Sequence, residues 1–146
     1  MSRINLSEKI LITNSEDETF NFGREFSKNL KAGSIILLHG DLGTGKTVFV
    51  RGACAGFGVK RSVRSPSFTL INEYKTQDEK FLIVHADLYR LDKNNVSEIG
   101  IEEYANSDDV ILFIEWPDRL ESVFENAVNI YFRAIDEFTR EIRIKS

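Results

Sequence analysis

Gly40-Asp-Leu-Gly-Thr-Gly-Lys-Thr47 is a complete G-x-x-x-x-G-K-[ST] phosphate-binding loop, and the segments on either side of it decide the fold. The glycines let successive backbone N–H groups turn toward phosphate oxygens, where a side chain or a restricted φ would obstruct them. Leu42, Gly43, Thr44 and Gly45 would form the cradle. Lys46 would reach the β- and γ-phosphates, and the Thr47 hydroxyl would ligand the Mg²⁺ that bridges them. With glycine at about 7% of residues, the bare pattern arises by chance in roughly one chain of this length in a few hundred, so its context has to carry the reading. Upstream, Ser34-Ile-Ile-Leu-Leu-His39 is an apolar run with β-branched residues, as expected of a strand buried on both faces. Downstream, Val48-Phe-Val-Arg-Gly-Ala-Cys-Ala55 suits a helix whose small residues pack close on a sheet. Strand, loop and helix follow in the order the motif requires.

The chain has 146 residues, 42% hydrophobic and 29% charged, which reads as one globular domain able to bury a real core. Its net charge of −4 argues against holding RNA or DNA by bulk electrostatics. The basic cluster of Lys60, Arg61 and Arg64 reads as a solvated loop, with a local contact to an acidic partner as the alternative. Cys54, the single cysteine, falls in the helix after the loop and reads as a small core residue, so no disulfide can form within the chain. One cysteine and two histidines leave no zinc constellation. The N-terminal Met-Ser-Arg-Ile-Asn lacks the apolar core of a signal peptide, and no stretch approaches membrane-spanning length. The chain therefore reads as cytoplasmic, with no membrane partner.

Lys9–Thr13 reads as a short strand. Ser15-Glu-Asp-Glu18 is a capping box for the helix that follows, and Phe22, Phe26 and Leu30 give that helix one apolar face, with Gly33 as its expected stop. The helix after the loop is expected to end near Gly56 or Gly58. Ser65-Pro-Ser67 makes a stiff turn, because Pro66 biases its predecessor away from helix. Phe68–Tyr74 and Phe81–Asp87 read as strands joined by the polar turn Thr76-Gln-Asp-Glu79. A short helix from Ser97 to Tyr104 precedes the buried run Val110–Ile114, and Val128–Phe132 with Glu141–Ile144 form a final hairpin exposed on one face. These elements fit an α/β fold whose mixed sheet is parallel at its centre and antiparallel toward its edges, flanked by helices.

Two of these hydrophobic runs end in acids, Asp87 and Glu115, at the strand ends where open α/β sheets bind ligands. Such carboxylates could hold Mg²⁺ and orient an attacking water. His85 and Asp87 share a strand face, so His85 could touch phosphate or hold Asp87, and it reads as a residue behind the site. His39 reads as a core residue packed under the loop. Ser65 and Ser67 could bring a hydroxyl to the γ-phosphate side, as a sensor loop does, though on the residues alone a simple turn is the better reading. Trp116 follows Glu115 directly; a tryptophan is usually a core residue, but one in this place could instead shape the site or meet a partner.

The chain resembles the bacterial TsaE (formerly YjeE) family, the ATPase component of the tRNA threonylcarbamoyladenosine machinery. The resemblance covers essentially the whole length. It rests on the phosphate loop followed by Phe49 and Arg51-Gly52, on Val63-Arg-Ser-Pro-Ser-Phe-Thr-Leu70 running to Glu73-Tyr74, and on His85-Ala-Asp-Leu-Tyr-Arg-Leu91. Glu98 with Gly100, and Ile114-Glu-Trp-Pro-Asp-Arg119, complete it. Ser67 stands where the family usually has Thr, Thr44 where it usually has Ala, and Asp118 where a longer residue is common. The resemblance implies a P-loop NTPase fold and Mg²⁺-dependent ATP hydrolysis that is weak until the protein docks on the TsaB–TsaD heterodimer, with tRNA reached only through that complex. It carries Lys46 and Thr47 over as phosphate and Mg²⁺ contacts, Glu115 as an acid beside the metal and Asp87 as a second essential carboxylate. It places the Asn14-Ser15 turn, and the Thr139-Arg140 end of the last hairpin, beside the adenine. Either acid could meet the Mg²⁺; the reading gives that place to Glu115 and the orientation of water to Asp87.

Two other readings compete. A P-loop kinase would need an acceptor pocket and an Arg-rich lid, and no lid insertion is evident. A nucleotide-gated binding module would switch partner affinity with little turnover. The absence of an N-K-x-D motif disfavours GTP. Oligomeric state is open.

Overall fold

The computed structural model describes residues 8–60, 62–64, 70–91, 100–120 and 124–145. Its strands are β1 (Lys9–Thr13), β2 (Ile35–His39), β3 (Ile71–Lys75), β4 (Leu82–Asp87), β5 (Val110–Glu115), β6 (Val128–Ala134) and β7 (Arg140–Lys145), and its α-helices are α1 (Glu16–Phe26), α2 (Lys46–Gly56) and α3 (Ile101–Ala105). All seven strands form one sheet in the order β1-β7-β6-β2-β5-β4-β3. β6, β2, β5 and β4 run parallel, while β1, β7 and β3 join antiparallel at the edges. This is the mixed, centrally parallel α/β fold that the sequence implies.

Alternation along the central strands divides the apolar side chains between two layers. On one face Ile36, Leu38, Ile83, Ile111 and Phe113 pack with Phe49, Val50, Ala53 and Cys54 of α2; on the other, Val84, Ala86, Leu112 and Ile114 pack with Ile101 of α3. Phe49 anchors the first layer, its ring within 5.5 Å of both Phe22 and Phe26 of α1, 5.7 Å of Phe132 and 6.3 Å of Phe113. All six residues of β5 are buried, so Glu115 at its end is held by the same packing.

Several local expectations need correction. α1 ends at Phe26 and passes into a 3₁₀ turn over Ser27–Asn29, so Gly33 does not stop it. Gly33 instead enters β2 at φ +92° and donates its N–H to the Val110 carbonyl at 2.8 Å. The Ser15 hydroxyl caps the Glu18 N–H at 3.1 Å as expected, but the Glu18 carboxylate accepts from the Asn14 N–H, one residue before the cap. The small residues of α2 serve a helix as well as the sheet: a Cβ on Gly52 would lie 2.0 Å from the Phe20 carbonyl oxygen of α1, and one on Gly23 would lie 2.2 Å from that of Phe49. β3 starts at Ile71, directly after Leu70 at φ +64°, and the expected start at Phe68 lies outside the described residues. His39 is half-buried on the sheet face rather than in the core, stacked 4.3 Å from Tyr131 with an Asn129 hydrogen bond at 2.8 Å. Ser65, Ser67 and the start of the 97–104 helix lie outside the described residues. Among the described residues no helix is long and apolar enough to cross a membrane.

Candidate functional site

The loop leaves β2 at Gly40 and enters α2 through Gly45, whose φ of +104° strains any residue with a Cβ. Among the described residues no side chain caps α2, in contrast to the Ser15 cap of α1. The N–H groups of its first turn therefore stand where an anion would satisfy them, with the helix dipole favouring negative charge. The Thr44 hydroxyl braces the loop by donating to the Asp41 carbonyl at 2.7 Å. Thr44 lines a separate cleft beside Tyr131 and Arg133.

Lys46 is 4% exposed, its Nζ donating to the Gly40 carbonyl and lying 4.2 Å from the centre of the Trp116 ring. Burial pushes its ammonium below the ordinary lysine range, against the pull of Glu115, Asp87, Asp41 and Asp118. The Thr47 hydroxyl donates to Glu115 Oε2 at 3.0 Å, and the same oxygen lies 2.6 Å from His85 Nε2. Burial works to raise the Glu115 carboxyl, but the His85 hydrogen bond and charge, the Thr47 hydroxyl and the Lys46 ammonium outweigh it and hold the group below the usual carboxylate range. Asp87 is the direct register partner of Glu115 across the parallel β4–β5 pair. Its Oδ1 accepts the Tyr89 N–H at 3.1 Å. His85 therefore backs Glu115, where sequence spacing pointed to Asp87.

Trp116 is left-handed at φ +60°, ψ +52° directly before Pro117, a costly conformation for a bulky residue. It turns the chain sharply out of β5 and lays the indole beside Lys46. Tyr89 packs 5.0 Å from the indole, and Arg119 donates to the Tyr89 carbonyl at 3.3 Å. These contacts join the two segments that follow the acid-ended strands.

The cleft in front of these groups has a volume of about 600 Å³. Of the expected site residues, Ser15, Leu42, Gly43, Gly45, Lys46, Thr47, Asp87 and Glu115 line it. Of the 139–140 pair, Arg140 lines it, and its Nη2 donates to the Gly43 carbonyl at 3.2 Å. Sequence reasoning missed Glu16, Thr19, Val48, Glu137 and Phe138. The only signal for Phe138 is an aromatic residue in a polar hairpin turn, where it is 65% exposed. Among the described residues no group of three or more His, Cys, Asp or Glu side chains forms a metal site by itself. The hydroxyl of Thr47 and the carboxylates of Glu115 and Asp87 are hard oxygen donors that fit Mg²⁺, an ion that completes its shell with waters and substrate phosphates rather than a protein cage.

A twisted α/β sheet whose glycine-rich loop feeds an uncapped helix beside two acid-ended strands has the architecture of the P-loop NTPases. Residues 13–142 match the family model for "Threonylcarbamoyl adenosine biosynthesis protein TsaE", and the chain belongs to that family. Curated relatives named tRNA threonylcarbamoyladenosine biosynthesis protein TsaE include those of Nostoc sp., 37% identical with 93% of this chain and 84% of the relative covered, and Aquifex aeolicus, 37% identical with 93% and 95% covered. That of Rickettsia bellii is 38% identical, with 88% and 89% covered. The crystal structure of Bacillus subtilis YdiB superposes with a TM-score of 0.77 at 27% identity, covering 99% of this chain and 88% of the other.

Proposed function

We propose that this chain acts as a single domain that binds ATP with Mg²⁺ and hydrolyses it in support of tRNA threonylcarbamoyladenosine formation. One observation carries the reading. Lys46, Thr47, Asp87 and Glu115, drawn from three separate elements, converge on one cleft at the uncapped start of α2. In this reading the loop N–H groups and Lys46 hold the phosphates. Thr47 and Glu115 hold the Mg²⁺, which when bound offsets phosphate charge, and Asp87 orients the attacking water. Ser15, Phe138 and Arg140 flank the base. Family membership supports the pathway, and docking on the TsaB–TsaD heterodimer sets the rate, in a cytoplasmic setting.

The test is phosphate release from ATP with no added acceptor, with and without the TsaB–TsaD pair. Hydrolysis stimulated by the pair and lost in Glu115→Ala is expected. A chain silent without an acceptor but active with one would be a kinase. Nucleotide-dependent binding to the pair without turnover would make it a gated module. Stimulated hydrolysis surviving in Glu115→Ala would overturn the catalytic assignment.

A further inference from the structure

His85 sits behind the cleft wall, completely buried, and the reading of Thr47 and Glu115 as Mg²⁺ residues gives it no part. On this sheet face Ile83, Ile111 and Phe113 are apolar, and Asn72, its register partner on β3, directs its amide N–H groups to the Arg64 carbonyl and the Tyr74 hydroxyl. An apolar side chain would fill the space at lower cost, because His85 Nδ1 is buried with no hydrogen-bond partner among the described residues. What the imidazole supplies is Nε2, 2.6 Å from Glu115 Oε2. β4 and β5 are parallel, with His85 opposite Phe113 and Asp87 opposite Glu115. The imidazole therefore reaches diagonally, two residues along β5, to a carboxylate beyond its own register partner.

That carboxylate also receives the Thr47 proton at 3.0 Å. With its proton directed at Glu115, the Thr47 hydroxyl meets a cation as an acceptor only. A glutamate held by one hydroxyl keeps freedom about its side-chain torsions; a second donor from the adjacent strand removes it. We infer that His85 is a positioning residue for cation binding: its Nε2–H fixes the Glu115 carboxylate, which in turn orients the Thr47 hydroxyl. The inference rests on the Mg²⁺–nucleotide reading given above.

The test follows Mg²⁺ titrated into the full chain saturated with mant-ATP, a fluorescent ATP analogue, with mant-ATP binding in EDTA as the check that the loop is intact. His85→Leu and His85→Asn, whose amide is too short to reach, should each raise the half-saturating Mg²⁺ concentration roughly tenfold. His85→Gln, which places an amide N–H near the Nε2 position, should hold the rise to about threefold. Wild-type half-saturation in His85→Leu would overturn the inference, as would a His85→Gln that binds mant-ATP in EDTA yet behaves like His85→Leu. Should the variants fail to fold, ¹⁵N spectra of the wild-type imidazole decide: a protonated, hydrogen-bonded Nε2 is expected, and a bare Nε2 refutes the role. If Mg²⁺ leaves mant-ATP binding by the wild-type chain unchanged, the Mg²⁺–nucleotide reading itself fails, and the spectrum still reports on the His85–Glu115 bond.

Discussion

Lys46 and Cys54 lie on the same helix, and burial affects their chemistry in different ways. Lys46 is pushed below the lysine range by burial yet sits among acids that favour its charge, so its ammonium is held ready for an anion at the loop. Removing it from a bound phosphate deletes a charge-assisted interaction of about 1.5–3 kcal/mol. Lys46→Ala should therefore lower ATP affinity ten- to hundredfold in a titration with mant-ATP; wild-type binding would sink the site. For Cys54 burial pushes the thiol from 9.0 to about 12. It should resist iodoacetamide in the folded protein and react only in denaturant. A folded pKa above the unfolded one favours folding while the thiol is protonated in both states. That contribution is whole below about pH 9 and drains away as pH rises toward about 12. The stability difference between wild type and Cys54→Ala, measured by urea unfolding, should shrink across that window.

At the scale of elements, the contact between α1 and α2 depends on two glycines facing each other's helix backbone. A methyl group at Gly52 would lie 2.0 Å from the Phe20 carbonyl, and backbone cannot swing aside as a flexible side chain can. Gly52→Ala should cost about 2–3 kcal/mol by chemical denaturation. Gly33→Ala, with nothing among the described residues within 4 Å of the new methyl but a φ of +92°, should cost only about 1 kcal/mol, from backbone strain. Equal losses in the two variants would refute this distinction between crowding and dihedral strain. Periodicity located the helices, and apolar runs located β2, β4 and β5. The helix stop at Gly33 was misplaced because a turn glycine and a cap glycine look alike in sequence. His39 was placed in the core because an apolar run does not say which of its residues face the half-open side of the sheet.

The whole molecule brings the far end of the chain to the loop. The β6–β7 turn delivers Glu137, Phe138 and Arg140 to a cleft whose other wall starts at Ser15, and Arg140 ties that turn to the Gly43 carbonyl at 3.2 Å. Arg140→Ala should weaken mant-ATP binding roughly three- to tenfold, the worth of one partly exposed charged contact. Unchanged affinity would mean that the turn does not act on the nucleotide.

By itself the sequence determined the loop, its strand and helix, the acids at two strand ends and the family motifs. Each of these is written in consecutive residues whose spacing is the physical signal. Only the tertiary structure decided that His85 backs Glu115 rather than Asp87, that Thr44 lines a separate cleft, that Trp116 lies against Lys46 and that Phe138 reaches the cleft. These follow from strand register, a left-handed residue and a distant hairpin, which set the distances between residues far apart in the chain and leave no local pattern behind.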